Sequence, residues 1–383
     1  FSFTVTINLS RRPLIYLTRS TPVKSDEKKH PALVPLPDRV RDRDVFHDKV
    51  GRVYVTLGYI QPEDRILSFL KYIPDPQGKW RTADQRYKRI FWGGGASAAE
   101  GMAKAPHDYL VHDSHFGSEL LEVPRTDVEK YFSPETRVKE ILESISRDPL
   151  EESVSQMTET LHDTLGIPFE RLGVTGSIVW KAHNPSFSDI NMNIYGFDAS
   201  WHLQRGYDEV AERNSHIRLR KMHEWKRTMA RVVERIPVLP LEAMRELFTR
   251  RKGLLCHGRS IGIMPILLPD EAPITHGCES YATIAPEPVR VSMEISDETY
   301  GLFLPAIYLG ESPPLELIAG ECVTRILVYE GSFRGLIRTG DRVEVSGIIQ
   351  RVTPIDSGTE PFYQLMVGSK AGAGKEYIRL RNS

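Results

Sequence analysis

Apolar and polar positions alternate from Arg52 to Tyr59 and again from Arg65 to Ile73, with the turn-forming run Gln61-Pro62-Glu63-Asp64 between them. A period of two interrupted by such a run predicts a β-hairpin. A third apolar-aromatic run, Tyr87 to Trp92, stops at Gly93-Gly94-Gly95, which reads as a flexible turn, so the N-terminal part is expected to form a small antiparallel sheet. Past the polar stretch between Pro124 and Pro134 the period becomes helical. Val138, Ile141, Leu142 and Ile145 share one spacing, and Val154, Met157, Leu161 and Leu165 repeat it before Gly166-Ile167-Pro168. A short strand then runs into Gly176-Ser177, and Ser188 to Tyr195 reads as another. Tyr207 to Ile236 contains neither glycine nor proline and predicts one long helix, with a second over Leu241 to Phe248 and a strand from Arg259 to Leu268. Beyond about Pro286 the pattern returns to strands at Ile326–Tyr329, Arg342–Val352 and Tyr363–Val367, punctuated by Gly331, Gly340-Asp341 and Asp356-Ser357-Gly358.

At 383 residues the chain predicts two or three structural units, and 40% hydrophobic with 26% charged residues is an ordinary globular composition. A formal net charge of −1 argues against wholesale polyanion binding, although a basic face can hide in a neutral total. One such excess exists: between Arg205 and Lys252 thirteen Lys or Arg stand against seven Asp or Glu. Arg218, Arg220, Lys221, Lys226 and Arg227 are its candidates for nucleic-acid backbone contact; the alternative is a solvated helical face. Cys256, Cys278 and Cys322 lack C-x-x-C spacing and fit reduced thiols of a cytoplasmic protein. No apolar run approaches the roughly 20 residues that span a bilayer, so no membrane association is expected.

The densest chemistry lies in RLGVTGSIVWKAHNPSFSDINMNIYG, Arg171 to Gly196. A Gly176-Ser177 pair opening a short helix would present free backbone N–H groups and the positive helix end to phosphate oxygens, with the Ser177 hydroxyl as a further donor. Asp189, twelve positions after the serine, and Asn191 would point to one face of the following strand, where a divalent ion binds.

Gly-Ser followed by an acid at this distance on a strand resembles the nucleotidyltransferase superfamily of polymerase-beta type, whose members carry Asp-x-Asp there. The resemblance implies Mg2+ (or Mn2+) held by Asp189 and Asn191, a nucleoside triphosphate seated on Gly176 and Ser177, and transfer to an acceptor such as an RNA or DNA end. Here the second acid is Asn191, which brings an oxygen but no charge and cannot act as a base, so the metal is weakly held. Two readings stay open: a transferase in which Asp189 and Asn191 are catalytic, and a catalytically impaired fold that binds nucleotide or nucleic acid. Asp270, Glu271, Glu294 and Asp297 are the acids available to complete the metal site; surface positions are their alternative.

Further matches to Arg41–Asp44, Gly58–Asp75 and Val123–Val128 make the chain from about residue 40 similar to archaeal proteins described only as nucleotidyltransferase-domain proteins. The expected fold is α+β: residues 1–39 a poorly ordered extension, 40–123 a β-rich domain, 124–284 a nucleotidyltransferase-like mixed sheet with flanking helices, and 285–383 a β-rich domain. In the last, GDRVEVSGIIQRV resembles a strand of an OB-like barrel, which either binds single strands or braces its neighbour. Gly372-Ala373-Gly374-Lys375 lacks the Ser/Thr of a phosphate-binding loop and reads as a loop between strands, and the spacing of His107, His112 and His115 with Asp113 fits no common ligand pair.

Overall fold

Three β-sheets follow one another along the chain in the computed structural model, which describes residues 33–355 and 358–381. Of the extension expected over residues 1–39, the part before residue 33 lies outside the described residues, as do Asp356-Ser357 of the last predicted turn, whereas Leu33–Val34 is a strand paired with Val128–Phe132. From Pro31 onward the chain is one compact unit.

The first sheet comprises β1 (Leu33–Val34), β2 (Val45–Asp48), β3 (Val53–Thr56), β4 (Arg65–Pro74), β5 (Trp80–Arg81), β6 (Arg86–Arg89), β7 (Leu110–Asp113), β8 (Ser118–Pro124) and β9 (Val128–Phe132), all paired antiparallel. Its path runs β1-β9-β2-β3-β4-β6-β5, with β8 beside β4 and β7 beside β8. The predicted hairpin is β3–β4. Its register shifts between Val53↔Tyr72 and Tyr54↔Leu70, which leaves Lys71 as the extra residue of a bulge. Gly93-Gly94-Gly95 is not a flexible turn: helix α1 (Gly94–Lys104) begins there, because the alanine-rich run after it favours helix.

The second sheet is mixed. Helices α2 (Pro134–Glu143) and α3 (Pro149–Leu165) lead to β10 (Leu172–Val174) and β11 (Ile190–Tyr195); α4 (Phe197–Arg213), β12 (Ile217–Leu219), α5 (Lys226–Arg235), α6 (Leu241–Phe248), β13 (Leu254–Cys256) and β14 (Arg259–Ile266) follow. Strand order is β10-β11-β14-β13-β12, with β11 and β14 parallel. Both helices begin on proline after a capping side chain, Ser133 for α2 and Asp148 for α3, and α3 ends on Gly166 in the left-handed conformation. Helix α2 stops at Glu143, so Ile145 is not on its apolar face and is fully exposed. The long helix expected over Tyr207–Ile236 is broken. Asn214 accepts from the N–H of His216 through its side chain and of Ile217 through its carbonyl, and Ile217–Leu219 then pairs with β13.

The third sheet contains β15 (Glu279–Thr283), β16 (Val289–Tyr300), β17 (Ala306–Glu311), β18 (Val323–Val328), β19 (Arg342–Pro354), β20 (Phe362–Val367) and β21 (Tyr377–Leu380). Because β19 pairs with both β16 and β20, the path β16-β17-β18-β20-β19 returns to its start and the sheet curls into a partial barrel. Its interior shares a core with α5 and α6, where Met229, Val232, Leu247 and Phe248 meet Val291, Val345 and Ile378. Its outer surface is covered by the first sheet: Ile60, Leu67 and Phe116 pack on Ile307, Leu327 and Val352. Beside them lies a buried polar chain in which Arg325 donates to Glu279 and Gln364, Gln364 to Gln350, and Tyr281 to Glu279. That surface braces the first sheet.

Candidate functional site

Strand β10 delivers the chain into Gly176, whose φ of +69° is a left-handed conformation that suits glycine. No helix follows. Ile178 and Ser177 carbonyls accept from the N–H groups of Lys181 and Ala182, closing a turn that drives Val179, Trp180 and Ala182 into the core of the first sheet. Trp180 is 1% exposed and meets His47, Tyr72 and Tyr87 at ring-centroid distances of 5.3, 5.4 and 4.8 Å. Burial of this aromatic side chain fixes the turn where local sequence suggested a helix. Ser177 is buried, with its hydroxyl 3.5 Å from Ser188 Oγ.

The turn and β11 are adjacent. Thr175 N–H donates to the Asn191 carbonyl at 2.9 Å, and a Cβ placed on Gly176 would stand 3.5 Å from Asn191 Nδ2. Ile190, Met192 and Ile194 face the helical core, so Asn191 projects to the opposite side. Asp189 precedes the strand rather than lying in it, and it is exposed with no hydrogen bond or ion pair among the described residues. On the parallel neighbour β14 the residue opposite Asn191 is Gly262, where a Cβ would lie 3.2 Å from Asn191 Oδ1. A third carboxylate has no room there.

The later acids are engaged elsewhere. Asp270 pairs with Arg39 at 2.6 Å; Glu271 accepts from the N–H groups of Leu268 and Phe197 and so caps α4. Glu294 lies 3.3 Å from Arg342, and Asp297 accepts from Thr299 N–H. Asp189 and Asn191 therefore supply one charge and one amide oxygen. That set does not fit a tightly held resident ion, but it fits a magnesium ion whose remaining positions are phosphate and water oxygens.

Cations surround the pair, and the sequence reading missed them. The Thr175 hydroxyl donates to the Arg43 carbonyl at 3.0 Å, which fixes Arg43 beside the turn; Arg43 Nε lies 3.5 Å from buried Asp42. Arg334, in the loop between β18 and β19, donates to Met264 Sδ at 2.8 Å, and the Met264 methyl lies against Gly262. Lys71, at the bulge of β4, interacts electrostatically with Arg89, Arg43 and Asp189. Burial, then the neighbouring Arg89 and Arg43 charges, pull the Lys71 ammonium down to about 7, with Asp189 only partly offsetting them. Burial and Arg43 similarly pull Arg334 down to about 10. The available signal was a lysine inside an otherwise apolar strand, ILSFLKYI.

The five basic candidates do not share a helix. Arg218 lies on β12 and forms a two-bond pair with Glu224 at 2.6 and 2.9 Å; Arg220 stacks 3.5 Å above Trp225 and donates to the Glu224 carbonyl. Lys221, Lys226 and Arg227 are exposed at and before the start of α5.

Asp148, Glu151 and His183 place ligand atoms within 4.8 Å of one another. Their facing atoms are already bonded, and His183 Nδ1 is left buried without a partner. Asp148 accepts from Leu150 and Glu151 N–H and bonds His183 Nε2 at 2.7 Å, while Glu151 accepts from Arg137 and from Asp148 N–H. Burial acts against it, yet these bonds hold the Asp148 carboxyl down to about 2. The group is the cap of α3. His115 bonds Tyr281 and Asp113 bonds His276, while His112 and His107 are exposed, so the histidines of that stretch do not converge on a metal. A cavity of about 530 Å³ beside Gly93–Ser97 is bordered by Arg235, paired with Glu330, and by the Gly372–Lys375 turn between β20 and β21.

No family profile, curated protein or solved structure matches this chain. Among the described residues no helix is long and apolar enough to cross a membrane, and the three cysteines are unbridged.

Proposed function

We propose that the chain is a nucleotidyltransferase-like protein that binds a nucleoside triphosphate with its magnesium between the Gly176-Ser177 turn and Asp189, and that it holds the nucleotide without turning it over. The observation that carries this reading is the bond from Thr175 N–H to the Asn191 carbonyl, which sets the Gly176 turn against β11, two residues from an exposed Asp189. The mixed sheet with its flanking helices and the curled third sheet, whose closed strand path suits an OB-like barrel, are consistent with it. A lone carboxylate with Gly262 on the adjoining strand favours binding over catalysis, because the residue opposite Asn191 supplies no second carboxylate for the metal chemistry of transfer.

Transfer of a nucleotidyl group to an acceptor, such as an RNA or DNA end, is the second reading. The retained spacing from Ser177 to Asp189 favours it. Both are tested by adding each triphosphate with magnesium or manganese to the full chain and following thermal stabilisation, with labelled RNA and DNA ends present to detect transfer. Stabilisation that falls on Asp189→Ala, without transfer, is expected. Transfer by the native chain would replace the binding reading with the enzymatic one, and Asn191→Asp should then increase it. An unchanged metal-dependent response in Asp189→Ala would reject the site.

A further inference from the structure

Buried or half-buried charges are normally matched by an opposite charge, because leaving one unmatched in a poorly solvated cleft is costly. A row of cations that begins beside Asp189 breaks that rule. Lys71, Arg89, Arg251 and Arg334 are all partly buried, and among the described residues none has a carboxylate within 4 Å. Arg334 donates to a thioether, Arg89 to the Phe91 carbonyl while stacking on Trp92, and Arg251 to the carbonyls of Gly331 and Ser332 while stacking on Phe248. Each feels the repulsion of its neighbours: Lys71 with Arg89 and Arg43, Arg43 with Arg334, Arg334 with Arg251. Polar atoms are also left without partners at the same place. Arg334 Nη1 and Arg251 Nε are buried and donate to no partner, while Arg43 Nε and Asp42 Oδ2 face each other at 3.5 Å as an ion pair without a hydrogen bond.

Three acids, Asp42, Asp189 and Glu330, stand against this row; Asp42 Oδ1 is taken by Gly58 N–H and Glu330 pairs with Arg235. The positive charge comes from three separate parts of the chain: Arg43, Lys71 and Arg89 from the first sheet, Arg251 from before β13, and Arg334 from the third sheet. Arg43 is tied to the turn before Gly176 by the Thr175 bond, and Arg334 to β14 by Met264, whose methyl lies beside Gly262.

We propose that Arg43, Lys71 and Arg334 form a metal-independent seat for the polyphosphate tail of a nucleotide, supplied by the first and third sheets rather than by a helix start after Gly176-Ser177. The inference rests on the nucleotide reading for its ligand but not for its metal or its chemistry. Arg334 and Arg43 offer fixed planar donors to phosphate oxygens and Lys71 a point charge, and the anion neutralises groups that otherwise repel one another. Ligand binding then ties the three sheets together.

The test uses the full chain with a chelator present and inorganic tripolyphosphate as probe, read by calorimetry. The native protein is expected to bind it. Lys71→Met and Arg334→Met should each weaken binding about tenfold or more, the scale of one charge-assisted hydrogen bond. Their melting temperatures without ligand should equal or exceed the native value, since each removes an uncompensated charge; a purely structural role would lower them. Lys226→Met, on the exposed start of α5, should leave binding unchanged.

Failure of native protein to bind tripolyphosphate, or equal binding by Lys71→Met and Arg334→Met, overturns the seat. So does tighter binding of a short single-stranded oligonucleotide than of tripolyphosphate, which would assign the row to a nucleic-acid backbone. Asp189→Ala separates this inference from the nucleotide reading: it should abolish the magnesium-dependent response while leaving tripolyphosphate binding intact or stronger. Loss of the magnesium response in native protein with retained tripolyphosphate binding defeats only the metal-nucleotide reading, and the converse defeats only the seat.

Discussion

The hydroxyl of Thr175 donates to the carbonyl oxygen of Arg43 across 3.0 Å, joining the end of β10 to the loop before β2. Arg43 itself has a left-handed backbone with φ of +69°, which an arginine adopts only when its surroundings hold it there. Removing the donor with Thr175→Val should cost about 1 kcal/mol of stability, the usual net value of such a bond, and should weaken polyphosphate binding through the freed Arg43. Denaturant titration and calorimetry on the same variant check both effects; unchanged stability would mean that the bond does not hold the loop.

Gly176→Ala separates strain from crowding. The nearest atom to the new methyl is Asn191 Nδ2 at 3.5 Å, ordinary contact, so the cost comes from a φ of +69° and should be about 1 kcal/mol. A loss above about 3 kcal/mol in chemical denaturation would show that the turn tolerates no side chain at all.

His47 gives the first sheet a pH dependence. It is 4% exposed, with ring centroids 4.7 Å from Phe132 and 5.3 Å from Trp180, and burial, helped by Lys130, pulls it down to about 3. Between that value and the unfolded value of about 6.5 the unfolded chain holds the extra proton, so stability falls as pH drops through this window. His47→Phe should flatten the fall relative to the native chain when unfolding is measured from pH 7 to pH 4. Identical slopes would contradict the burial.

Breaking the buried polar chain of the third sheet should be expensive. Arg325 is 7% exposed and donates to both oxygens of Glu279, itself 7% exposed. Arg325→Met strands that carboxylate and should cost about 3–5 kcal/mol, whereas the double variant Arg325→Met with Glu279→Gln should recover part of it. Equal losses in the single and double variants would show that the two residues are not coupled.

Much of the local architecture was legible in order and type. Alternation gave the β3–β4 hairpin; Ser133-Pro134 and Asp148-Pro149 marked the starts of α2 and α3, and Gly166 the end of α3. The errors have physical causes of the same kind. Propensity alone favours helix through Tyr207–Ile236, but Asn214 turns the chain and β13 offers Ile217 a partner. The Gly-Ser turn follows a strand as expected, yet the burial of Trp180 in another sheet decided that no helix would follow.

Sequence by itself determined the two strands that flank the Gly176-Ser177 turn and carry Asn191, because alternation and the turn residues are local signals. Tertiary structure alone decided that Arg43, Lys71 and Arg334 would stand around them. Periodicity along a chain records which face of an element is buried, whereas the proximity of charges from separate sheets depends on how those sheets pack, and nothing local encodes it.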